Sequence, residues 1–140
     1  MTMKKILAFS LMELTATIAI VLIISLVAYP VLNQYFIQTK VAEAIASAAE
    51  IQTMVTQQIA AKESVTNSGV NLDTPATISR YVAGYSIDDN GVITINTTAD
   101  AGGITLTLSP SYSATSEQVA WSCAVSNAAQ NSFVPSKCRI

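Results

Sequence analysis

The chain has 140 residues, of which 11% are charged and 51% hydrophobic, and its formal net charge is −2 at pH 7. Ordinary soluble proteins carry about 25% charged residues, so part of this chain is markedly short of charge. The small net charge argues against a dedicated nucleic-acid binder, and the absence of histidine removes the usual general base and the commonest metal ligand. The composition therefore disfavours an enzyme.

The N-terminus combines a short positive start with a long apolar run. Residues 1–8, MTMKKILA, contain two lysines, and the apolar residues 9–32 follow, with no charged side chain between Glu13 and Lys40. As a helix, residues 9–32 would be about 36 Å long, which is enough to cross a hydrocarbon core of about 30 Å. Lysines at the N-terminal side place that end in the cytoplasm. The sequence predicts a membrane-spanning helix over residues 9–32.

Glu13 is a carboxylate near the start of this apolar run. A charge at the centre of a membrane helix costs about 2.5–3.5 kcal/mol on insertion scales, and less near the interface, where the side chain can snorkel to water. Snorkelling is one explanation of Glu13. The other is a cationic partner inside an assembly, because a buried charge is tolerated only when it is paired. The apolar run offers no cation of its own.

Residues 8–13, AFSLME, followed by an apolar helix, resemble the class III leader junction of type IV pilins. The resemblance implies that a prepilin peptidase cuts between Ala8 and Phe9 and methylates the new amine of Phe9. It also implies that Glu13 pairs with the terminal amine of a neighbouring subunit during assembly. Residues 1–8 would then be a leader peptide.

Two further positions match the family pattern, and two depart from it. Pro30 stands where the family has a helix-kinking proline needed in assembly, and Tyr35 matches an aromatic residue that follows it. A proline removes one helical hydrogen bond, and the resemblance implies that residues 22–29 lose hydrogen bonds in the filament. Relatives usually have glycine where this chain has Ala8, and many have glycine in place of Leu22.

Residues 33–62 are amphipathic. Apolar residues recur every three or four positions, which predicts a single stripe on a helix: Val41, Ile45, Ala48, Ile51 or Gln52, Val55 and Ile59. Nothing in the sequence between Pro30 and Glu63 stops a helix, so Phe9 to Lys62 are predicted to form one helix of roughly 80 Å.

Residues 63–140 are predicted to form the globular part. After a loop over residues 64–77, four strands are indicated by alternating apolar and polar residues and by intervening turns: residues 80–87, 92–98, 104–108 and 118–123. The expected fold is α+β: a long N-terminal helix whose C-terminal half packs on a four-stranded antiparallel sheet, as in the pilin roll.

Cys123 and Cys138 lie close to the C-terminus. Two cysteines in a small chain with an export signal predict a disulfide and an oxidising compartment, whereas two free buried thiols are the alternative. The disulfide would contribute about 3 kcal/mol by the chain-entropy model. The resemblance implies that the closed loop lies at an exposed edge, where receptors and phages often bind in relatives.

No metal or cofactor is predicted. Asp88, Asp89 and Asn90 supply oxygen atoms that could suit calcium, but the later glutamate of an EF-hand loop is missing and the run is typical of a turn.

The predicted function is a structural one, as a subunit of a type IV pilus that supports adhesion, twitching motility and DNA uptake. Its predicted partners are further copies of itself, the prepilin peptidase, the inner-membrane assembly machinery, the membrane before assembly, and host surfaces or DNA through the filament. The precursor would lie in the inner membrane and the product outside the cell. The alternatives are a minor pilin, a secretion-system pseudopilin, or a periplasmic binding module for which the helix is only an anchor.

Overall fold

A computed structural model describes residues 9–75 and 79–140. Two helices precede four strands: α1 (Leu11–Ser47), α2 (Ala49–Lys62), β1 (Val82–Ile87), β2 (Ile93–Thr97), β3 (Thr105–Ser113) and β4 (Gln118–Val125). Short 3-10 helices follow β2 and β4: Ala99–Ala101, Ala128–Phe133 and Ser136–Cys138. The α+β prediction is confirmed, because a long helix is followed by a four-stranded antiparallel sheet.

The chain divides into two units between Asn33 and Gln34. We name residues 9–33 the stem and residues 34–140 the head. Helix α1 begins in the stem and ends in the head.

The prediction of one unbroken helix up to Lys62 is wrong at Ala48, which separates α1 from α2. The cause is local competition for a carbonyl group. In a regular helix the Ala48 N–H would donate to the Ala44 carbonyl. Here the Ser47 hydroxyl donates to that carbonyl at 2.7 Å, and the Ala48 N–H donates to the Ile45 carbonyl at 3.1 Å instead. A serine hydroxyl that takes a backbone acceptor in this way weakens the regular helical pattern.

The sheet is an antiparallel meander in the order β1-β2-β3-β4. Strand β3 runs to Ser113, well beyond the predicted end at Leu108, because its second half pairs with β4 from Ser109↔Ser122 to Ser113↔Gln118. Pro110 is tolerated within it, since β2 pairs with β3 only as far as Leu108 and leaves one side of the strand without a partner there.

The core lies between the helical stripe and one face of the sheet. The fully buried helical residues are spaced by three or four positions: Val41, Ala44, Ala48, Ile51, Val55 and Ile59. Alternate residues of β2 and β3 meet them from the sheet: Ile93, Ile95, Leu106 and Leu108. Ala44 takes a place in the stripe that was assigned to Ile45, which is only half-buried, as is Gln52. Each large apolar side chain buried in this way contributes about 1.5–3 kcal/mol.

Candidate functional site

The stem exposes its apolar side chains. Its large hydrophobic residues are between 49% (Leu14) and 81% (Leu11) exposed. Within the part of the chain that the structure describes, α1 is the one helix long and apolar enough to cross a membrane. Contiguous apolar surface of this extent is typical of a membrane or protein contact rather than of a surface left in water.

Glu13 lies in the first turn of α1 and is exposed. Its N–H donates to the Ser10 carbonyl at 3.0 Å, and the Ser10 hydroxyl accepts from the Met12 N–H at 3.4 Å, which begins the helix. A helix N-terminus carries partial positive charge, so the carboxylate is stabilised at this position. Phe9 precedes the helix and is 71% exposed. Ala8, on the other side of the predicted cut, lies outside the described residues.

The hydroxyl groups of the two threonines and of Ser25 in the stem donate to carbonyls of their own helix. Thr15 donates to the Met12 carbonyl at 2.9 Å, and Ser25 donates to the Val21 carbonyl at 2.7 Å. Such bonds allow a hydroxyl to enter an apolar environment without an outside partner. An ionised carboxylate has no proton to donate, so Glu13 cannot be satisfied by backbone carbonyls in this way. In an apolar environment its charge requires a hydrogen-bond donor or a cation.

Pro30 lies inside α1, and the helix continues on both sides of it. Because proline has no N–H, the carbonyl of Leu26 lacks its usual helical donor. Residues 22–29 are helical in this structure. The expected loss of their hydrogen bonds concerns the assembled filament and stays a prediction.

The C-terminal segment of the head is held by a disulfide between Cys123 in β4 and Cys138, which is fully buried. The Cα atoms of the two cysteines are 4.5 Å apart. The predicted disulfide is present, and neither cysteine is a free thiol. The side-chain amide of Asn131 exchanges hydrogen bonds with the backbone of Ile140 at 2.8 and 3.1 Å. These bonds fix the end of the chain against the loop that the disulfide closes.

The same segment is joined to α1. The side-chain amide of Gln38 donates to the Ser132 carbonyl at 2.6 Å. Beside the disulfide, an open groove of about 200 Å³ is lined by both apolar and polar groups: Ile45, Gln52, Leu108, Trp121, Ser122, Cys123 and Lys137. The indole N–H of Trp121 donates to the Thr56 hydroxyl at 3.2 Å, which ties β4 to α2.

The turn at Asp88–Gly91 has the geometry that its sequence predicts. The Asp88 carboxylate accepts from the Asn90 N–H at 2.5 Å, and Gly91 adopts a φ of 76°. Over residues 9–75 and 79–140, no three His, Cys, Asp or Glu side chains come together in a way that could hold a metal ion.

Sequence reasoning missed one close contact at this turn. Gly69 donates its N–H to the Asp89 carbonyl at 3.0 Å, and a Cβ atom at Gly69 would overlap the Asp88 carbonyl oxygen. The loop after α2 therefore packs directly on the β1–β2 turn. Its Asn-Ser-Gly composition predicted a loop but carried no signal of the surface it would meet.

A protein-family model described as pilin, bacterial filament, matches residues 38–139. No solved structure matches the chain. The family match lies within the head, from Gln38 to Arg139. The AFSLME junction lies in residues 8–13, outside that match. The two signals therefore come from separate parts of the sequence and agree. The chain belongs to the pilin family, the subunits of bacterial filaments.

Proposed function

We propose that this pilin is the structural subunit of a type IV pilus and that its stem is the assembly element. The precursor would be anchored in the inner membrane by residues 9–32, cut between Ala8 and Phe9, and methylated at the amine of Phe9. Membership of the pilin family supports a filament subunit. The observation that carries the proposal is Glu13, which is exposed and is the only charged side chain between Phe9 and Lys40.

Packing of stems against one another would keep their exposed apolar surface out of water, which is favourable at about 25 cal/mol per Å². Glu13 would enter the same apolar environment and would need a cation there. Cleavage before Phe9 creates an α-amine near the start of the apolar run. The amine of one subunit can pair with Glu13 of the next, and this pairing sets the register of the stems.

The proposed activity is mechanical, with no reaction catalysed by the chain itself. Adhesion, twitching motility and DNA uptake are the proposed roles of the filament, and its heads would form the outer surface. The prepilin peptidase and the inner-membrane assembly machinery are the proposed partners during maturation. A strain that lacks this chain should lose surface filaments, and its twitching and transformation should return when the chain is restored.

Glu13→Ala tests the proposal directly. Leaving a buried partner charge unpaired costs about 3–5 kcal/mol, so filaments recovered by shearing should fall by a factor of roughly 100 or more. Thr17→Val is the matched control, because the Thr17 hydroxyl already donates to the Glu13 and Leu14 carbonyls at 3.0 and 2.8 Å. It should assemble nearly normally. Formation of the Cys123–Cys138 disulfide in both variants shows that the head is folded.

Wild-type amounts of filament from Glu13→Ala would contradict the proposed pairing of Glu13. Absence of filaments from the parent chain would instead favour a periplasmic binding module for which the helix is only an anchor. The abundance of the chain distinguishes the remaining alternatives. A major pilin is the principal protein of sheared filaments, whereas a minor pilin or a pseudopilin is a small fraction of them or absent.

A further inference from the structure

The β1–β2 turn contains two neighbouring residues that can react with each other. Asn90 is the only asparagine of the chain that is followed by a glycine. Asparagine is a thermolabile residue, because the backbone nitrogen of the next residue can attack its side-chain amide. Glycine has no Cβ atom to hinder this approach. Asn90 is therefore the asparagine of this sequence at which the attack is least hindered.

The structure places the two residues in different surroundings. Asn90 is exposed, whereas Gly91 is buried and adopts a φ of 76°. A Cβ atom at Gly91 would lie 2.5 Å from the Ser68 hydroxyl oxygen and 2.6 Å from a methyl carbon of Val55. The Asn90 side chain is thus open to water, while Gly91 is enclosed by α2 and by the loop that follows it.

Hydrogen bonds hold this turn in an unreactive form. The Gly91 N–H donates to the Asp88 carbonyl at 3.0 Å, and the Asn90 N–H donates to the Asp88 carboxylate at 2.5 Å. The Gly69 N–H donates to the Asp89 carbonyl at 3.0 Å and holds the loop after α2 against the turn. The Gly91 nitrogen must leave the Asp88 carbonyl before it can attack the Asn90 side chain.

We propose that Asn90 is a site of spontaneous deamidation and that the folded turn keeps the reaction slow. The Gly91 nitrogen loses its proton and bonds to the side-chain carbonyl carbon of Asn90. The bond from that carbon to the amide nitrogen breaks, and this nitrogen takes up a proton and leaves as ammonia. The product is a cyclic succinimide. Water then adds to either of its two carbonyl carbons and opens the ring to aspartate or isoaspartate, so no oxidant or reductant is required.

The protection can be expressed as a ratio of rates. The reaction proceeds only from the open turn, so its rate in the folded head is the rate in an unfolded chain multiplied by the fraction of time that the turn is open. Each tenfold decrease corresponds to about 1.4 kcal/mol in favour of the closed turn. Because three hydrogen bonds and a buried glycine close this turn, we expect a decrease of about tenfold or more.

The two products have different consequences for the head. Both add a carboxylate beside Asp88 and Asp89. Isoaspartate also lengthens the main chain by one methylene group before Gly91, which the buried glycine and the contact with Gly69 leave no room for. Under the proposed function the heads form the outer surface of the filament, so the modified residue would accumulate as filaments age. The reaction itself does not depend on assembly.

The first test compares the folded and the unfolded chain. The detergent-solubilised full chain is incubated at alkaline pH, either in NaCl or in guanidinium chloride of the same ionic strength with the disulfide reduced. Peptide mapping by mass spectrometry measures aspartate and isoaspartate at Asn90, with Asn131, which precedes a serine, as the internal reference. In the unfolded chain Asn90 should react faster than Asn131, and equal rates would overturn the site. Folding should slow Asn90 by about tenfold or more, and an unchanged rate would overturn the protection.

The second test opens the turn in the folded head. Gly69→Ala places a methyl group against the Asp88 carbonyl and should raise the rate at Asn90, whereas Gly84→Ala, where a Cβ atom meets nothing within 4 Å, should not. Asp88→Ala removes the carboxylate that accepts from the Asn90 N–H and leaves the loop contact in place. It should react faster than Asp89→Ala, which removes the same charge at the exposed neighbour. Equal rates for Asp88→Ala and Asp89→Ala would overturn the proposed role of the turn, and the proposed filament would stand.

Discussion

The stem and the head use similar side chains in opposite environments. Ile23 in the stem is 64% exposed, whereas Ile51 in the head is fully buried, although both lie on helices. The head covers its apolar stripe with its own sheet. The stem has no such cover within the described residues, and its apolar surface is available to lipid or to other copies. This difference supports the proposed division of roles, in which the head supplies stability and the stem supplies assembly.

The largest expected effect in the head comes from Ile51→Ala. Removing a fully buried isoleucine side chain leaves a cavity and should lower the free energy of unfolding by about 2–5 kcal/mol. Ile23→Ala in the stem is the control and should change it by less than about 0.5 kcal/mol. Trp121 is the single tryptophan, so its fluorescence reports on the head during denaturation of the detergent-solubilised chain. An equal decrease in the free energy of unfolding for both variants would contradict the proposal that the head, and not the stem, supplies stability.

Removal of the disulfide should affect the head alone. The double variant Cys123→Ser, Cys138→Ser frees a loop of sequence separation 15 and should lower the free energy of unfolding by about 3 kcal/mol. The fraction of the chain that stays with membranes after alkaline extraction should not change, because residues 9–32 are the proposed anchor. Loss of membrane association in the double variant would contradict this division of roles.

A smaller effect is expected at Gly69. A methyl group there would overlap the Asp88 carbonyl oxygen and force the loop away from the β1–β2 turn, at a cost of about 1–3 kcal/mol. Gly84 provides the control, since a Cβ atom at that position meets nothing within 4 Å. Denaturation should show Gly84→Ala to be as stable as the parent or slightly more stable. If the two variants unfold alike, close packing at Gly69 does not stabilise the head.

Much of the fold follows from periodicity in the sequence. The spacing of Val41, Ile51, Val55 and Ile59 predicted the buried face of the helices, and alternation around Ile93 and Leu106 predicted the strands. What the sequence did not show depends on partners distant along the chain. The second half of β3 resembles a polar loop until β4 pairs with it, and Ala48 leaves the helix because of a hydroxyl at Ser47.

The assembly site was predicted in a different way. Glu13 and Phe9 were selected from a short motif and from the cost of a charge in an apolar run, and a single chain cannot display a contact between subunits. The structure adds that both residues are exposed at the start of the helix.

The most direct test of the account is the identity of the first residue of the chain in sheared surface filaments. Mass spectrometry of the intact protein and of its N-terminal peptide would measure it. The account predicts a chain that begins at N-methylated Phe9, with residues 1–8 removed. A chain that still begins at Met1, or one cut beyond Leu32, would contradict the central claim, because Glu13 would then have no matured amine to pair with.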